Sequence, residues 1–169
     1  MNWQQIGHIL TRESQLPLEN CRISGGIYAP TLRYHNGRFY MITTNTNIGG
    51  NFLVWAENIL GPWSDPVWID HDGIDPSLFW DEDGKVYYTG TWIDGADPQG
   101  IGQFEIDIET GAKLSETRII WYGTGGRCPE DPAVPASPFS TLRNTITTSA
   151  LQKRDTIPLY GFVSGLRIF

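Results

Sequence analysis

The chain has 169 residues, enough for one domain of ordinary size. Its formal net charge of −7 argues against a nucleic-acid-binding protein, because contact with phosphates needs a basic face. No apolar run approaches the roughly 20 residues that cross a membrane, and two cysteines without a CxxC pattern do not fit a zinc site or a disulfide framework.

Short segments of β-type composition follow one another from the N-terminus to about residue 122. They are rich in β-branched and aromatic side chains and are bounded by Gly, Asn, Asp or Pro, and none shows apolar spacing at the helical period. The sequence predicts strands over Ile6–Leu10, Ile27–Tyr34, Arg38–Asn45, Phe52–Glu57, Val67–Asp70, Ser77–Trp80, Val86–Thr91, Gly102–Asp107 and Arg118–Tyr122. We expect an all-β protein built from successive antiparallel meanders.

Two stretches repeat one pattern, which reads x-Pro-Ser/Thr-Leu-x-aromatic, then a turn with Gly, then basic-x-Tyr. The first copy begins at Ala29 and the second at Asp75, and both contain a hairpin signal, Asn36-Gly37 or Asp83-Gly84. A β-rich repeat of roughly 40–50 residues is typical of propeller blades. Because a propeller needs at least four four-stranded blades, the chain is either a smaller fold or part of a larger protein.

The composition changes near Pro129. All seven tryptophans precede it, and after it prolines, serines and threonines cluster without a further turn-and-strand pattern. We expect residues 1–130 to form the β-domain and residues 131–169 an irregular tail. A flexible segment, a small appended helix and residues read out of frame at a truncated gene end stay open as its origin, and we favour the last.

The N-terminal residues show neither a basic start nor an apolar segment, so no signal peptide is predicted. The compartment stays open, and it is cytoplasmic if this N-terminus is genuine.

Asp75 is the sharpest candidate for a chemical role, because the other copy of the repeat has Ala29 at its position. It precedes Pro76, which predicts an extended backbone, and it stands at the start of a strand. Inner strand ends of a propeller point at the central channel, where a carboxylate can act as acid, base or electrostatic tuner. The alternative is a turn aspartate that caps the hairpin.

Glu130 ends a Gly-rich stretch, and such a stretch lets the backbone approach a ligand closely. The stretch lacks the Gly-Lys-Ser/Thr ending of a phosphate loop. Two carboxylates flanking one bond are the minimum for glycoside hydrolysis, and Asp75 and Glu130 on neighbouring blades could converge on one axis. The alternative for Glu130 is an ordinary surface residue.

Other polar and aromatic residues carry weaker signals. The acidic residues between 70 and 83 lack the spacing of a calcium loop and are interpreted as solvated turn carboxylates. None of the three histidines has a second histidine or a cysteine four residues away, so no metal site is predicted. Trp55, Trp80 and Trp92 are either core residues or sugar platforms, and Trp92, at a strand end, is the one expected at a substrate site.

At these residues the chain resembles glycoside hydrolase family 43, the β-xylosidase and α-L-arabinofuranosidase group. The resemblance covers residues 2–130, and its matching stretches are Asn2–Gly7, Gly26–Pro30, Gly61–Pro66, Gly73–Phe79 and Gly123–Arg127. It implies a five-bladed β-propeller that hydrolyses xylosides or arabinosides with inversion and without a cofactor. The chain would hold about two and a part blades.

The resemblance also implies three catalytic carboxylates. Asp75 matches the aspartate that tunes the pKa of the acid and orients it, and Glu130 matches the general acid. The family's general base lies some thirty residues before the stretch that matches Asn2, so we expect this chain to lack it. After Glu130 the family continues with Gly-Pro-His and a further strand, whereas this chain has Asp131-Pro132-Ala133.

The axial calcium of the family needs a histidine of later blades, which again predicts no metal here. The expected function is that of a glycosidase whose partner is a xylo- or arabino-oligosaccharide, with no nucleic acid and no membrane. The activity of this chain by itself stays open. The alternative is a non-catalytic carbohydrate-binding module or an inactive fragment.

Overall fold

The computed structural model describes residues 4–16, 19, 21, 23, 25–47, 50–92 and 100–123, and the account below concerns these residues. The chain divides into two compact units, one of Met1–His8 with Asp131–Phe169 and one of Ile9–Glu130. The described part of the first unit, residues 4–8, contains neither helix nor strand. The described residues include no helix that is long and apolar enough to span a membrane.

The second unit is built, in its described part, from eight strands. These are β1 (Thr31–His35), β2 (Arg38–Asn45), β3 (Gly50–Ala56), β4 (Val67–Ile69), β5 (Ser77–Trp80), β6 (Val86–Trp92), β7 (Gly100–Glu105) and β8 (Arg118–Trp121). They form two four-stranded sheets, the first in the order β1-β2-β3-β4 and the second in the order β5-β6-β7-β8. All neighbours are antiparallel, so each sheet is a simple meander.

Eight of the nine predicted strands are present, two of them with the predicted bounds. The predicted strand Ile6–Leu10 is wrong, because these residues form no ladder and the run has Gly7 at its centre, a weak strand former. The first strand of the repeat begins at Thr31 and not at Ile27, which makes only an isolated bridge. Pro30 lies between them and has no N–H to donate to a ladder.

Both predicted hairpins are present, since β1 pairs with β2 and β5 with β6, and the first has the backbone conformation that its Asn-Gly pair predicts. Asn36 and Gly37 have φ angles of 46° and 85°, the pair of positive values that a two-residue turn between twisted strands requires. The turn fixes the pairing of His35 with Arg38 and thereby the register of β1 against β2.

The core lies between the two sheets. In the first sheet Tyr40 pairs with Trp55 and Ile42 with Leu53, so all four share the face that looks toward the second sheet. The buried cluster is Tyr40, Ile42, Leu53, Ile69, Leu78, Tyr88, Phe104 and Ile106. Each large apolar side chain contributes about 1.5–3 kcal/mol by leaving water, and neither sheet can bury this face alone.

The first strands of the two sheets, β1 and β5, are joined by side chains. Arg33 donates from Nε to the carbonyl of Leu78 at 3.2 Å and from its guanidinium to Ser77 Oγ at 2.8 Å. Thr31 donates its hydroxyl to the carbonyl of Pro76 at 2.5 Å. The start of β5, which follows Asp75, therefore lies beside the start of β1.

Candidate active site

Asp75 lies two residues before β5, and its side chain is exposed. The extended backbone predicted from the following proline is wrong, because φ at Asp75 is +57°, in the left-handed region. A non-glycine residue there is uncommon, although aspartate is among the residues that tolerate it, and such conformations cluster at functional sites. The local preference is overridden by contacts of the segment around it.

Residues 71–76, called here the Asp75 segment, approach β6 very closely. Gly73 has a φ of +111°, and a Cβ atom at this position would lie 1.8 Å from the carbonyl oxygen of Thr91. Only glycine permits this approach. The segment therefore crosses the end of the second sheet in direct contact with the last residues of β6.

A buried aromatic group lies beneath this end of the sheet. Tyr88 is fully buried and stacks on Phe104 with ring centroids 4.7 Å apart. Its hydroxyl is directed toward Gly90, where a Cβ would lie 2.8 Å from it, and it has no hydrogen-bond partner among the described residues. Burial, together with the charge of Asp75, raises the pKa of Tyr88. The carboxylate of Asp75 is thus within electrostatic reach of the core.

His71, the first residue of the Asp75 segment, belongs to the same group. It is 8% exposed, and its ring lies 5.1 Å from Tyr88 and 5.0 Å from Phe104. Burial, with a smaller effect of Lys113, lowers the pKa of His71 to about 4, against the opposing charges of Asp72 and Asp70. The sequence analysis considered this histidine only as a metal ligand, and no local signal marks it as buried.

Trp92 is the last residue of β6, so it lies at a strand end as the sequence predicts. Its side chain is half-buried. Its neighbour Thr91 bonds to Ile74, so Trp92 and Asp75 lie at the same end of the second sheet. Glu130 lies outside the described residues, and its approach to Asp75 stays a prediction.

The other two tryptophans pack against the core and not at this end of the sheet. Trp55 lies beneath Arg38, whose guanidinium carbon is 4.0 Å from the ring centroid. Trp80 stacks on His35 with centroids 4.8 Å apart. Of the three indoles considered as sugar platforms, two are therefore structural.

Acidic residues of the β5–β6 turn are exposed and bond to their own backbone. Asp81 Oδ1 accepts the N–H of Glu82 at 2.7 Å, and Asp83 Oδ1 accepts that of Lys85 at 3.0 Å. Within the part of the chain that the structure describes, no three His, Cys, Asp or Glu side chains come together as a metal site.

The sequence model of glycosyl hydrolases family 43 matches residues 1–141. The chain belongs to this family. The resemblance seen in residues 2–130 is confirmed, and the match continues beyond Glu130. A xylosidase/arabinosidase of Butyrivibrio fibrisolvens is 50% identical over 72% of this family 43 chain and 25% of its own length. A non-reducing end alpha-L-arabinofuranosidase of Bacteroides ovatus is 43% identical over 78% of this chain and 25% of its own.

Solved structures of the family share the two sheets. A xylan beta-1,4-xylosidase from Bacillus halodurans superposes with a TM-score of 0.64 at 39% identity, covering 71% of this family 43 chain and 25% of the other. A GH43 protein from a capybara gut metagenome gives a TM-score of 0.65 at 39% identity over 70% of this chain and 24% of the other. The chain spans about a quarter of the length of the curated relatives it matches.

Proposed function

We propose that this chain is part of a glycoside hydrolase that cleaves xylosides or arabinosides with inversion of configuration. Membership of family 43 carries the proposal, together with one structural observation: an exposed aspartate in a left-handed conformation just before the first strand of the second sheet. The relatives named as xylosidases and arabinosidases support the pentose substrate. A xylo- or arabino-oligosaccharide is the partner that such a site would bind.

We propose further that the two sheets are consecutive blades of a five-bladed propeller. In that arrangement β1 and β5 are the inner strands, and the bonds of Arg33 and Thr31 join them at the axis. The blade region extends to about residue 130, and residues 131–169 form a separate tail.

The three functional side chains would have distinct roles. Asp75 raises the pKa of the acid and orients it, because a nearby negative charge disfavours ionisation of a second carboxyl group. Glu130 protonates the leaving oxygen. Trp92 offers an apolar face to the sugar ring at the same end of the sheet.

Inversion requires a second group. A base must activate water on the opposite face of the sugar, with the two carboxyl groups roughly 6.5–9.5 Å apart. The resemblance assigns this base to a stretch before Asn2, so hydrolysis is a proposal for the whole protein. Without the base, a contribution of about 10²–10⁴-fold would be lost.

The proposal is tested by measuring whether the whole protein that contains this chain releases the chromophore from nitrophenyl xyloside and from nitrophenyl arabinofuranoside. We expect hydrolysis of at least one, with the anomeric configuration of the first product inverted when followed by NMR. A retained configuration, or turnover of glucosides in place of pentosides, would contradict it.

A second candidate function is carbohydrate binding without hydrolysis, which the half-buried Trp92 at the strand end favours. Titration calorimetry with xylo-oligosaccharides separates the two. Binding without turnover supports the module, whereas the absence of heat with every pentose oligomer removes it.

A further inference from the structure

The backbone of Asp75 opposes two local preferences at once. A residue before proline favours extended geometry, and a side chain in the left-handed region costs about 1–3 kcal/mol. The observed φ of +57° therefore has to be maintained by contacts from elsewhere in the fold. The contacts that maintain this φ angle also keep the Asp75 carboxylate at the position that the proposed function requires.

One end of the Asp75 segment is held by the first sheet. Asn51 of β3 is fully buried and donates its side-chain amide to the carbonyl of His71 at 2.7 Å and to that of Gly73 at 3.3 Å. Its own carbonyl oxygen accepts the hydroxyl of Thr44 at 2.6 Å, which fixes the orientation of the amide. These bonds hold residues 71 and 73 of the segment.

The other end is held at Pro76, whose carbonyl accepts the hydroxyl of Thr31 in β1. Ile74 and Asp75 lie between these two anchors. Because Ile74 directly precedes Asp75, the way in which Ile74 is fixed bears on the conformation of Asp75.

Ile74 is fixed by a single residue of β6. The hydroxyl of Thr91 accepts the N–H of Ile74 at 2.7 Å and donates to its carbonyl at 3.0 Å. The backbone N–H of Thr91 donates to the same carbonyl at 3.0 Å. Both backbone polar groups of Ile74, the residue before Asp75, are thus bonded to Thr91.

From this geometry we propose that Thr91 is a positioning residue: its hydroxyl holds Ile74 so that Asp75 keeps its left-handed conformation and presents its carboxylate at the site. The inference rests on the role proposed above for Asp75. Without the hydroxyl, the N–H of Ile74 loses its acceptor and the Ile74 carbonyl keeps only its bond from the Thr91 backbone N–H. The backbone at Asp75 can then relax toward the extended geometry that Pro76 favours. Asn51 and Thr31 would still hold the segment to the fold, so the substitution need not unfold the chain.

The test uses the complete chain with Thr91→Val, which keeps the shape but removes the hydroxyl, and Thr91→Ser, which keeps the hydroxyl. NMR measures the three-bond HN–Hα coupling of Asp75, which reports φ, and the hydrogen exchange of the Ile74 amide. We expect Thr91→Val to change the coupling and to speed exchange at Ile74 by at least about tenfold, and Thr91→Ser to match the parent chain. An unchanged coupling and exchange rate in Thr91→Val would overturn the inference.

Kinetics of pentoside hydrolysis by the whole protein that contains this chain, with the same two substitutions, give the functional readout. Misplacing a catalytic group can cost about 10²-fold in rate, so kcat should fall by that order in Thr91→Val while KM stays within about twofold. The alkaline limb of the pH–rate profile should move to lower pH, because the acid loses the nearby negative charge that raises its pKa. Thr91→Ser, which keeps the hydroxyl, should have the kcat and the pH–rate profile of the parent.

The two proposals fail separately. If the whole protein that contains this chain hydrolyses no pentoside, the function proposed for it fails, and the NMR comparison still decides whether Thr91 holds Asp75. If the whole protein is active and its Thr91→Val variant has the same kcat and pH profile, the positioning role is wrong.

Discussion

At the scale of single residues, the site combines one exposed carboxylate with a buried group that carries unpaired polar atoms. Asp75 faces solvent from a strained backbone, whereas His71 and Tyr88 lie in the core with Nε2 and the hydroxyl unbonded among the described residues. Polar atoms that are buried without partners cost stability. The two rings contact each other at the end of the second sheet that carries Asp75, so this end bears a cost in stability that its packing alone does not explain.

Replacing Asp75 by asparagine tests its charge while keeping a residue that tolerates the left-handed region. We expect kcat for a pentoside to fall by about 10²–10⁴-fold, the range of general acid–base contributions, with little change in thermal stability. Glu82→Gln, which removes an exposed carboxylate from the turn after β5, is the matched control and should keep full activity. Equal activity of the two variants would contradict the role of Asp75.

His71 should make stability depend on pH. Its pKa is about 4 in the folded chain against 6.5 for the exposed side chain, so the unfolded state takes up a proton more readily. The free energy of unfolding therefore does not depend on this histidine above pH 6.5. It falls by on the order of 2 kcal/mol as the pH drops from 6.5 toward 4. Urea unfolding at pH 7 and pH 4.5 measures this decline.

His71→Phe keeps a ring of similar size and cannot titrate. The pH dependence of its unfolding free energy should be flatter than that of the parent chain by the same amount. If the two chains lose stability in parallel between pH 7 and pH 4.5, other groups cause the decline and the assignment to His71 is wrong.

At the scale of elements, the hairpins follow from local sequence, whereas the segments between them depend on contacts with other strands. Asn36-Gly37 sets a turn by its own backbone preference. The Asp75 segment instead follows β4 and is bound to β3, β6 and β1 in succession. Such a segment can hold strained residues because the surrounding strands determine its path.

Gly73 and Gly26 offer a matched pair for testing that path. Both have a φ of +111°, but a Cβ would lie 1.8 Å from the Thr91 carbonyl at Gly73 and would meet nothing within 4 Å at Gly26. Gly26→Ala should cost only the backbone strain, about 1–2 kcal/mol. Gly73→Ala should lose a further 1–3 kcal/mol, roughly the cost of overpacking, in chemical unfolding. Equal losses would show that the close approach to β6 is not present.

At the scale of the whole β unit, the two sheets depend on one another. Tyr40 and Leu53 of the first sheet share a single core with Leu78 and Phe104 of the second. Arg38 of the first sheet pairs at 2.8 Å with Glu109, which lies in the connection between β7 and β8 of the second sheet, while it covers Trp55. We therefore expect the two meanders to unfold as one cooperative unit.

Tyr88 at the centre of this core gives the corresponding test. Tyr88→Ala leaves a cavity between the sheets and should cost about 3–5 kcal/mol. Tyr88→Phe removes only a hydroxyl that has no partner among the described residues, so stability should stay equal or rise by about 1 kcal/mol. Denaturant unfolding followed by tryptophan fluorescence measures both, and a large loss in Tyr88→Phe would show that the hydroxyl is bonded.

The sequence by itself determined the class of fold, most strand positions, the hairpin turns and the family, because alternation, turn residues and repeated motifs are local signals. It identified Asp75 and the end of β6 as candidate positions for the same reason. Only the tertiary structure decided that Asp75 is left-handed, that His71 is buried and that Trp55 and Trp80 belong to the core. Each of these depends on residues distant in the chain, such as Thr91, Asn51 and Phe104, whose approach no local pattern encodes.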